Sequence, residues 1–267
     1  MANGAIAFQN TQNRRRQILE DIKTDGFVKT SALSEKFNCS EVTIRTDIRE
    51  LATAGLLKRT HGGAVAIDAV ETPLLETKTI SKFVAEKQRI TKTAFEYINS
   101  GDTILLDDSS TSYYLSLCIL AHPEKKIVVV TNGIASAYEL TNAPHVELHV
   151  VGGYVGGQNS GHLAATLGDS AIETIQSFHV DKGFIGVHSI NFDVGLTSIA
   201  TPQMQIKRAI ISSSKSLFVL ADHTKFENSY LSVVCPISTD FTIITDSGID
   251  SSIKENADSI GLNLLVV

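Results

Sequence analysis

The chain has only three cysteines in 267 residues, at positions 39, 118 and 235. They stand too far apart for a disulfide framework or for the clustered spacing of zinc ligands, so buried free thiols are expected, with no metal and no cofactor. Long hydrophobic runs are missing as well. None approaches the roughly 18–20 residues of a membrane span, and no apolar signal core follows the first basic residues. These absences exclude membrane, collagen, knottin and zinc-finger readings and lead to the expectation of a cytoplasmic protein with no membrane partner. What is present is a globular composition, 43% hydrophobic and 19% charged. The length suits one large domain or two ordinary ones, either with a sizeable core.

The formal charge of −6 conceals a division. Residues 1–64 hold ten Lys/Arg against seven Asp/Glu, and the remainder holds 13 against 22. A small basic unit on a large acidic one suggests a nucleic-acid-binding head. By itself the asymmetry is weak evidence, because many basic segments never meet DNA.

The head reads as three short helices and a hairpin. Arg14 to about Asp25 carries Ile18, Leu19 and Ile22 on one stripe and stops at Gly26. A second helix is expected from about Ser31 to Phe37, followed by a tight turn at Asn38-Cys39. Ser40 suits the cap of a third helix, because its hydroxyl accepts from an orphan N–H of the first turn. That helix runs to about Ala54, buries Ile44, Ile48 and Leu51, and stops at Gly55. Its outer face carries Glu41, Val42, Arg45, Thr46 and Arg49, with Asp47 and Glu50 expected to balance part of the charge. Two guanidiniums one turn apart suit a recognition helix in a major groove, but a solvated face suits them equally. The next segment tips the balance. Leu56 to Val65 runs apolar, then basic at Lys58, Arg59 and His61, then Gly62-Gly63, then apolar again. That is a hairpin with a basic flank, a wing placed to touch the DNA backbone or minor groove.

At these residues the chain resembles a known family. Thr43-Ile44-Arg45-Thr46-Asp47-Ile48, then Gly55-Leu56-Leu57, then Arg59-Thr60-His61-Gly62-Gly63-Ala64 are similar, without a gap, to the winged helix-turn-helix of DeoR-type bacterial transcriptional regulators. One departure is Thr46, where the family usually has a second arginine. The resemblance implies DNA contacts from Ser40, Glu41, Thr43, Arg45, Thr46, Arg49, Lys58, Arg59 and His61. Residues 1–66 are thus expected to form the winged helix-turn-helix domain. Periodicity is lost around Asp68 to Pro73, which sets a linker over 67–80, and residues 81–267 form the larger unit.

The larger unit alternates helix and strand. A helix from about Lys82 to Ile98 presents Phe83, Ile90, Ala94 and Ile98. Buried strands are expected at Thr103–Leu106, Ile127–Val130, Val146–Val151, Phe184–Val187, Leu217–Leu220, Phe241–Thr245 and Leu262–Val267. Helices are expected near Tyr113–Leu120, Ile134–Leu140, Ala171–Phe178, Pro202–Ser213 and Ser251–Ile260. The alternation implies an α/β domain with a mostly parallel sheet covered on both faces, whose ligands sit at the carboxyl ends of strands. The turns there are small and polar. Asp107-Asp108-Ser109-Ser110-Thr111-Ser112 opens a helix, and so many hydroxyls favour an anion over ordinary capping. Thr131-Asn132, Gly152-Gly153, Asp181-Lys182, Gly186 and Lys225 stand at further turns. Position alone makes Lys207 a solvated helical residue.

The same turns resemble the DeoR-type sensor domain, through Asp107 to Thr111, Thr131-Asn132, Gly152-Gly153, Asp181-Lys182-Gly183-Phe184-Ile185-Gly186, Gly195-Leu196-Thr197, Lys207-Arg208 and Asp222 to Phe226. Ser109 departs from a usual glycine. The resemblance implies a fold akin to ribose-5-phosphate isomerase and a phosphorylated sugar as effector. It implies effector contacts from Asp107, Ser109, Ser110, Thr111, Thr131, Asn132, Gly152, Gly153, Asp181, Lys182, Gly186, Lys207 and Lys225. A non-enzymatic repressor of a sugar-catabolic operon, binding operator DNA as a dimer or tetramer, is the first reading. A sugar-phosphate isomerase or deaminase is the alternative, with Asp181 and Lys182 as base and cation. Against it, Asp181 stands alone where such isomerases carry a denser acidic cluster. A DNA-packaging role is excluded by the acidic body.

Overall fold

The computed structural model describes residues 11, 13–22, 27–53, 56–60, 62–66, 79–156, 163–226 and 228–267. It divides into two compact units, Met1–Thr72 and Pro73–Val267. Among the described residues no helix is long and apolar enough to cross a membrane.

The first unit has helices α1 (13–22), α2 (Thr30–Lys36) and α3 (Glu41–Thr53) and strands β1 (Phe27–Lys29), β2 (Leu57–Thr60) and β3 (Gly63–Ala66). Ile18 and Ile22 of α1, Leu33 of α2 and Ile44, Ile48 and Leu51 of α3 meet Leu57 and Ala64 of the strands in one core. Ser40 precedes α3, and its Oγ accepts the N–H of Thr43 at 3.2 Å, a first-turn bond of the capping kind. Strands β2 and β3 pair antiparallel from Leu57↔Ala66 to Thr60↔Gly63. Gly62 turns the hairpin at φ +96°, a conformation that favours glycine. The sequence reading had only this hairpin; β1, three residues long, adds a third strand alongside β3.

Asp47 corrects the reading of α3. It is 2% exposed and does not balance the outer arginines; it accepts Arg14 Nε at 2.6 Å and Arg15 Nε at 2.8 Å. Its position explains this. Asp47 shares the stripe of Ile44, Ile48 and Leu51, so the helix period turns it inward, and a buried carboxylate requires charged donors.

The second unit contains α4 (Val84–Glu96), β4 (Thr103–Leu106), α5 (Ser110–Leu120), β5 (Ile127–Thr131), α6 (Ile134–Leu140), β6 (Val146–Val150), β7 (Tyr154–Gly156) and β8 (Ala165–Leu167). There follow α7 (Asp169–Gln176), β9 (Val180–Gly186), β10 (Ser189–Asn191), β11 (Gly195–Ser198), α8 (Thr201–Ser213), β12 (Ser214–Leu220), β13 (Ser232–Cys235), β14 (Phe241–Thr245), α9 (Ser251–Ser259) and β15 (Asn263–Val266). Seven strands form one parallel sheet in the order β15-β14-β12-β9-β4-β5-β6. Successive strand residues face opposite sides. Leu105, Ile185 and Val219 join Ala171 of α7, Ile206 and Ile210 of α8 and Ile253 of α9 in one core. Ile104, Leu106, Phe184 and Phe218 join Ile90 of α4 and Leu115 and Ile119 of α5 in the other. Helices therefore cover both faces, as the near-continuous apolar strands require.

Several boundaries differ from the sequence reading. β9 starts at Val180, so Asp181 and Lys182 lie inside its amino-terminal end and not in a turn. α5 starts at Ser110, three residues before Tyr113. The hairpin β7–β8 and the antiparallel sheet β10-β11-β13 were not foreseen. Of the expected linker, 67–78 falls outside the described residues. The carbonyl of Ile80 accepts Tyr114 Oη at 3.2 Å, tying residue 80 to the body. The three cysteines are free, but half-buried, not fully buried.

Strand order reverses at β4: β5 and β6 continue to one side, β9 and the remaining strands to the other. At such a switch the connections leave in opposite directions and open a crevice at the carboxyl ends of the two central strands. Here those ends are Leu106 and Gly186.

The Asp47→Ala variant is expected to lower the stability of the first unit by about 2 kcal/mol, because two partly buried guanidiniums lose their acceptor. Urea unfolding followed by circular dichroism checks this; an unchanged midpoint would show that the arginines turn to water without cost.

Candidate functional site

Asp107 follows β4 in the crevice and is wholly buried. Its Oδ1 accepts the Ser109 N–H at 3.1 Å and Ser112 Oγ at 2.6 Å. Its Oδ2 accepts the Gly186 N–H at 2.9 Å and the ammonium of Lys207 from α8. Burial works against the Lys207 charge, but attraction to Asp107 and Asp108 and the hydrogen bond to Asp107 hold it above the usual lysine range. Lys207 is thus a buried partner of the loop, not a solvated residue.

Ser109 caps α5. Its Oγ accepts the Ser112 N–H at 3.1 Å and donates to Ser112 Oγ at 2.9 Å. Room for its side chain comes from Gly186, since a Cβ there would stand 2.5 Å from Ser109 Cβ. The serine in place of the family's glycine therefore serves the helix end, and its hydroxyl is already engaged. Ser110 and Thr111, in the first turn of α5, line a cavity of about 230 Å³ with Gly186, Lys207 and Lys225. The cavity combines the amino-terminal turn of α5, two hydroxyls and ammonium groups, a set that suits a phosphate.

Further wall residues stand outside the expected effector contacts, among them Lys82, Lys87, Asp108 and Gln203. Lys87 on α4 is buried, and its Nζ donates to the carbonyl of Lys82 at 2.7 Å and to that of Thr79. Burial lowers its pKa to about 8, with attraction to Asp222 opposing and repulsion from Lys225 assisting. A signal existed: Lys87 stands on the same stripe as Ile90, Ala94 and Ile98, so helical spacing already turns it inward. Burial also pushes the Asp108 carboxyl up, with Lys207 opposing and Asp107 adding to the rise.

The structure does not bring the other expected effector residues to this cavity. Asp181 and Lys182 sit at the amino end of β9, the opposite end of the strand from Gly186. There Lys182 pairs with Asp102, and Asp181 takes Lys215 Nζ at 2.8 Å and the Thr103 N–H at 3.0 Å. These are strand-start ion pairs. Thr131 and Asn132 are buried braces: Thr131 Oγ1 donates to the Leu106 carbonyl at 2.9 Å, and Asn132 Nδ2 to that of Thr166 at 3.2 Å. Gly153 is bare because a Cβ would meet the Leu167 carbonyl oxygen at 2.5 Å, so β8 and not a ligand takes the space; Gly152 is exposed. Asp107 contributes from behind the wall, with its oxygens occupied.

In the first unit, Arg45, Thr46 and Arg49 are exposed on α3 beside Val42. Arg45 Nη2 lies 2.7 Å from Glu41 Oε2 in an exposed i,i+4 pair. Ser40 Oγ and Thr43 Oγ1 stand 2.9 Å apart at the helix start, and Arg59 is exposed on β2. His61 and the side chain of Lys58 fall outside what is described.

Comparison with known proteins agrees with both halves of this arrangement. Residues 14–70 match the model of the DeoR-like helix-turn-helix domain, and residues 82–247 that of the DeoR C terminal sensor domain. The transcriptional repressor AccR of Agrobacterium fabrum is 34% identical, covering 91% of this chain and 92% of its own. The glycerol-3-phosphate regulon repressor of Escherichia coli is 31% identical over 88% of this chain and 90% of its own. A solved D-ribose-5-phosphate isomerase with phospho-erythronic acid aligns at 16% identity and a TM-score of 0.38 over 53% of each chain, a likeness too slight to argue from. With a helix-turn-helix domain and a sensor domain each matched along the length of the protein, the chain belongs to the DeoR family of DNA-binding transcriptional regulators.

Proposed function

We propose that this regulator represses a sugar-catabolic operon and is controlled by a phosphorylated sugar bound in the cavity at the carboxyl ends of β4 and β9. One observation carries the reading: Ser110 and Thr111 at the start of α5 share that cavity with Lys87, Lys207 and Lys225. The phosphate takes first-turn N–H groups and the two hydroxyls, and the lysines neutralise it. The enzyme alternative has less support. The base and cation it would require, Asp181 and Lys182, stand at the amino end of β9, away from the cavity, and are paired with Lys215 and Asp102.

On the DNA side, Arg45 and Arg49 read base edges or adjacent phosphates, and Thr43, Lys58 and Arg59 hold phosphates. The Arg45–Glu41 pair offers little resistance, since exposed ion pairs are worth roughly 0–1 kcal/mol. A single recognition helix makes too few contacts for useful affinity, so the regulator acts as a dimer or tetramer. The effector changes operator affinity only by binding the two states unequally.

Arg49→Ala is expected to weaken operator binding by about 1–3 kcal/mol in a fluorescence anisotropy titration, with Arg45→Ala similar. Unchanged binding would remove these side chains from the interface. The double variant Ser110→Ala, Thr111→Ala is expected to keep operator binding and lose the response to sugar phosphates. Sulfate, whose charge is fixed near neutral pH, serves as the anion probe. Charged Lys87 favours the anion, so sulfate affinity is expected to fall as pH rises through about 8. Calorimetric titrations between pH 7 and 9 check this, and a flat profile would take Lys87 out of the site.

A further inference from the structure

Asp108 and Gln203 form a pair that the phosphate reading does not use. Both line the cavity, and each is more than nine-tenths buried. Gln203 Nε2 donates to Asp108 Oδ2 at 3.2 Å, which joins the first residues of the β4–α5 loop to the start of α8. The remaining oxygen of each, Asp108 Oδ1 and Gln203 Oε1, has no partner. Among the described residues only five buried side-chain atoms are in that state, and two of them belong to this one pair.

Buried acceptors without donors are costly, so their persistence calls for a reason. Packing does not supply one, because leucine or methionine would fill the same volume without polar atoms. A donor arriving with a ligand does. The cavity's chemistry narrows what that ligand is. Lys82, Lys87, Lys207 and Lys225 make an amine or other cation unwelcome, while a second carboxylate would set acceptor against acceptor. Neutral hydroxyls remain, and the two free oxygens, lying within one hydrogen-bonded pair, call for two that are close together.

We propose that Asp108 and Gln203 are the specificity-determining residues of the cavity, accepting hydrogen bonds from two neighbouring hydroxyls of a phosphorylated polyol or sugar. The proposal rests on the reading that the cavity holds a phosphate. The pair then selects among phosphate esters. An ester with a vicinal diol satisfies both oxygens, and one lacking hydroxyls leaves them stranded. A site built around such acceptors discriminates more strongly than an apolar pocket does.

Isothermal titration calorimetry with three phosphate monoesters tests this on the full chain: glycerol 3-phosphate and ribitol 5-phosphate, which carry vicinal hydroxyls, and n-propyl phosphate, which carries none. At least one polyol phosphate is expected to bind at least about tenfold more tightly than n-propyl phosphate. In Gln203→Leu and Asp108→Leu that preference is expected to shrink to about threefold or less. Equal affinities for all three esters in the unmodified protein would overturn the proposal and leave the phosphate site standing, a result that needs no variant to fold. A preference that survives in both variants would also overturn it. If neither inorganic phosphate nor any of the esters binds, the phosphate reading fails and takes the proposal with it.

Discussion

One carboxylate organises the crevice at the carboxyl ends of the parallel strands in the larger unit. Asp107 accepts four donors drawn from three separate parts of the chain: the α5 start through Ser109 and Ser112, the end of β9 through Gly186, and α8 through Lys207. Each of these parts then supplies a wall of the cavity. The pair of Asp107 and Lys207 is wholly buried, where attraction is strong but desolvation is severe. Such a pair adds little net stability beside an apolar substitute. Its value lies in geometry, because an unpaired buried charge of either sign is costly enough to exclude other arrangements of the loop.

The same device appears in the first unit at a smaller scale. Asp47 sits on the buried stripe of α3 and draws Arg14 and Arg15 of α1 against it. That contact fixes the packing of α1 on the helix whose opposite face carries Arg45 and Arg49. The basic residues of the head thus divide by role. Two arginines hold the fold together, and others remain exposed.

Much of this was legible from sequence because the sheet is apolar. Thr103–Leu106 and Phe241–Thr245 are short runs between polar turns, and they are strands in the structure with the same limits. The amino end of β9 was hidden because Asp181-Lys182-Gly183 interrupts an apolar run. It stays in the sheet because the charges find partners beside it in Asp102 and Lys215. The start of α5 was hidden because four hydroxyl residues read as loop, although Ser109 caps the helix that the other three begin. Two wall residues of the cavity were hidden for a related reason. Helical spacing says which way Lys87 and Gln203 turn, but it does not say that α4 and α8 both begin at one crevice. That follows from strand order, which local sequence does not carry. Asp47 was misread because charge was given more weight than its place on the stripe.

The most direct test of the organising role of Asp107 is a double-mutant cycle in urea unfolding, built from Asp107→Asn, Lys207→Met and the combined variant. If the buried pair holds the three segments in place, each single variant loses about 3–5 kcal/mol, the combined variant loses less than their sum, and the coupling energy is about 2–3 kcal/mol. Losses that simply add, within about 0.5 kcal/mol, would contradict the account and make the pair incidental to the cavity it borders.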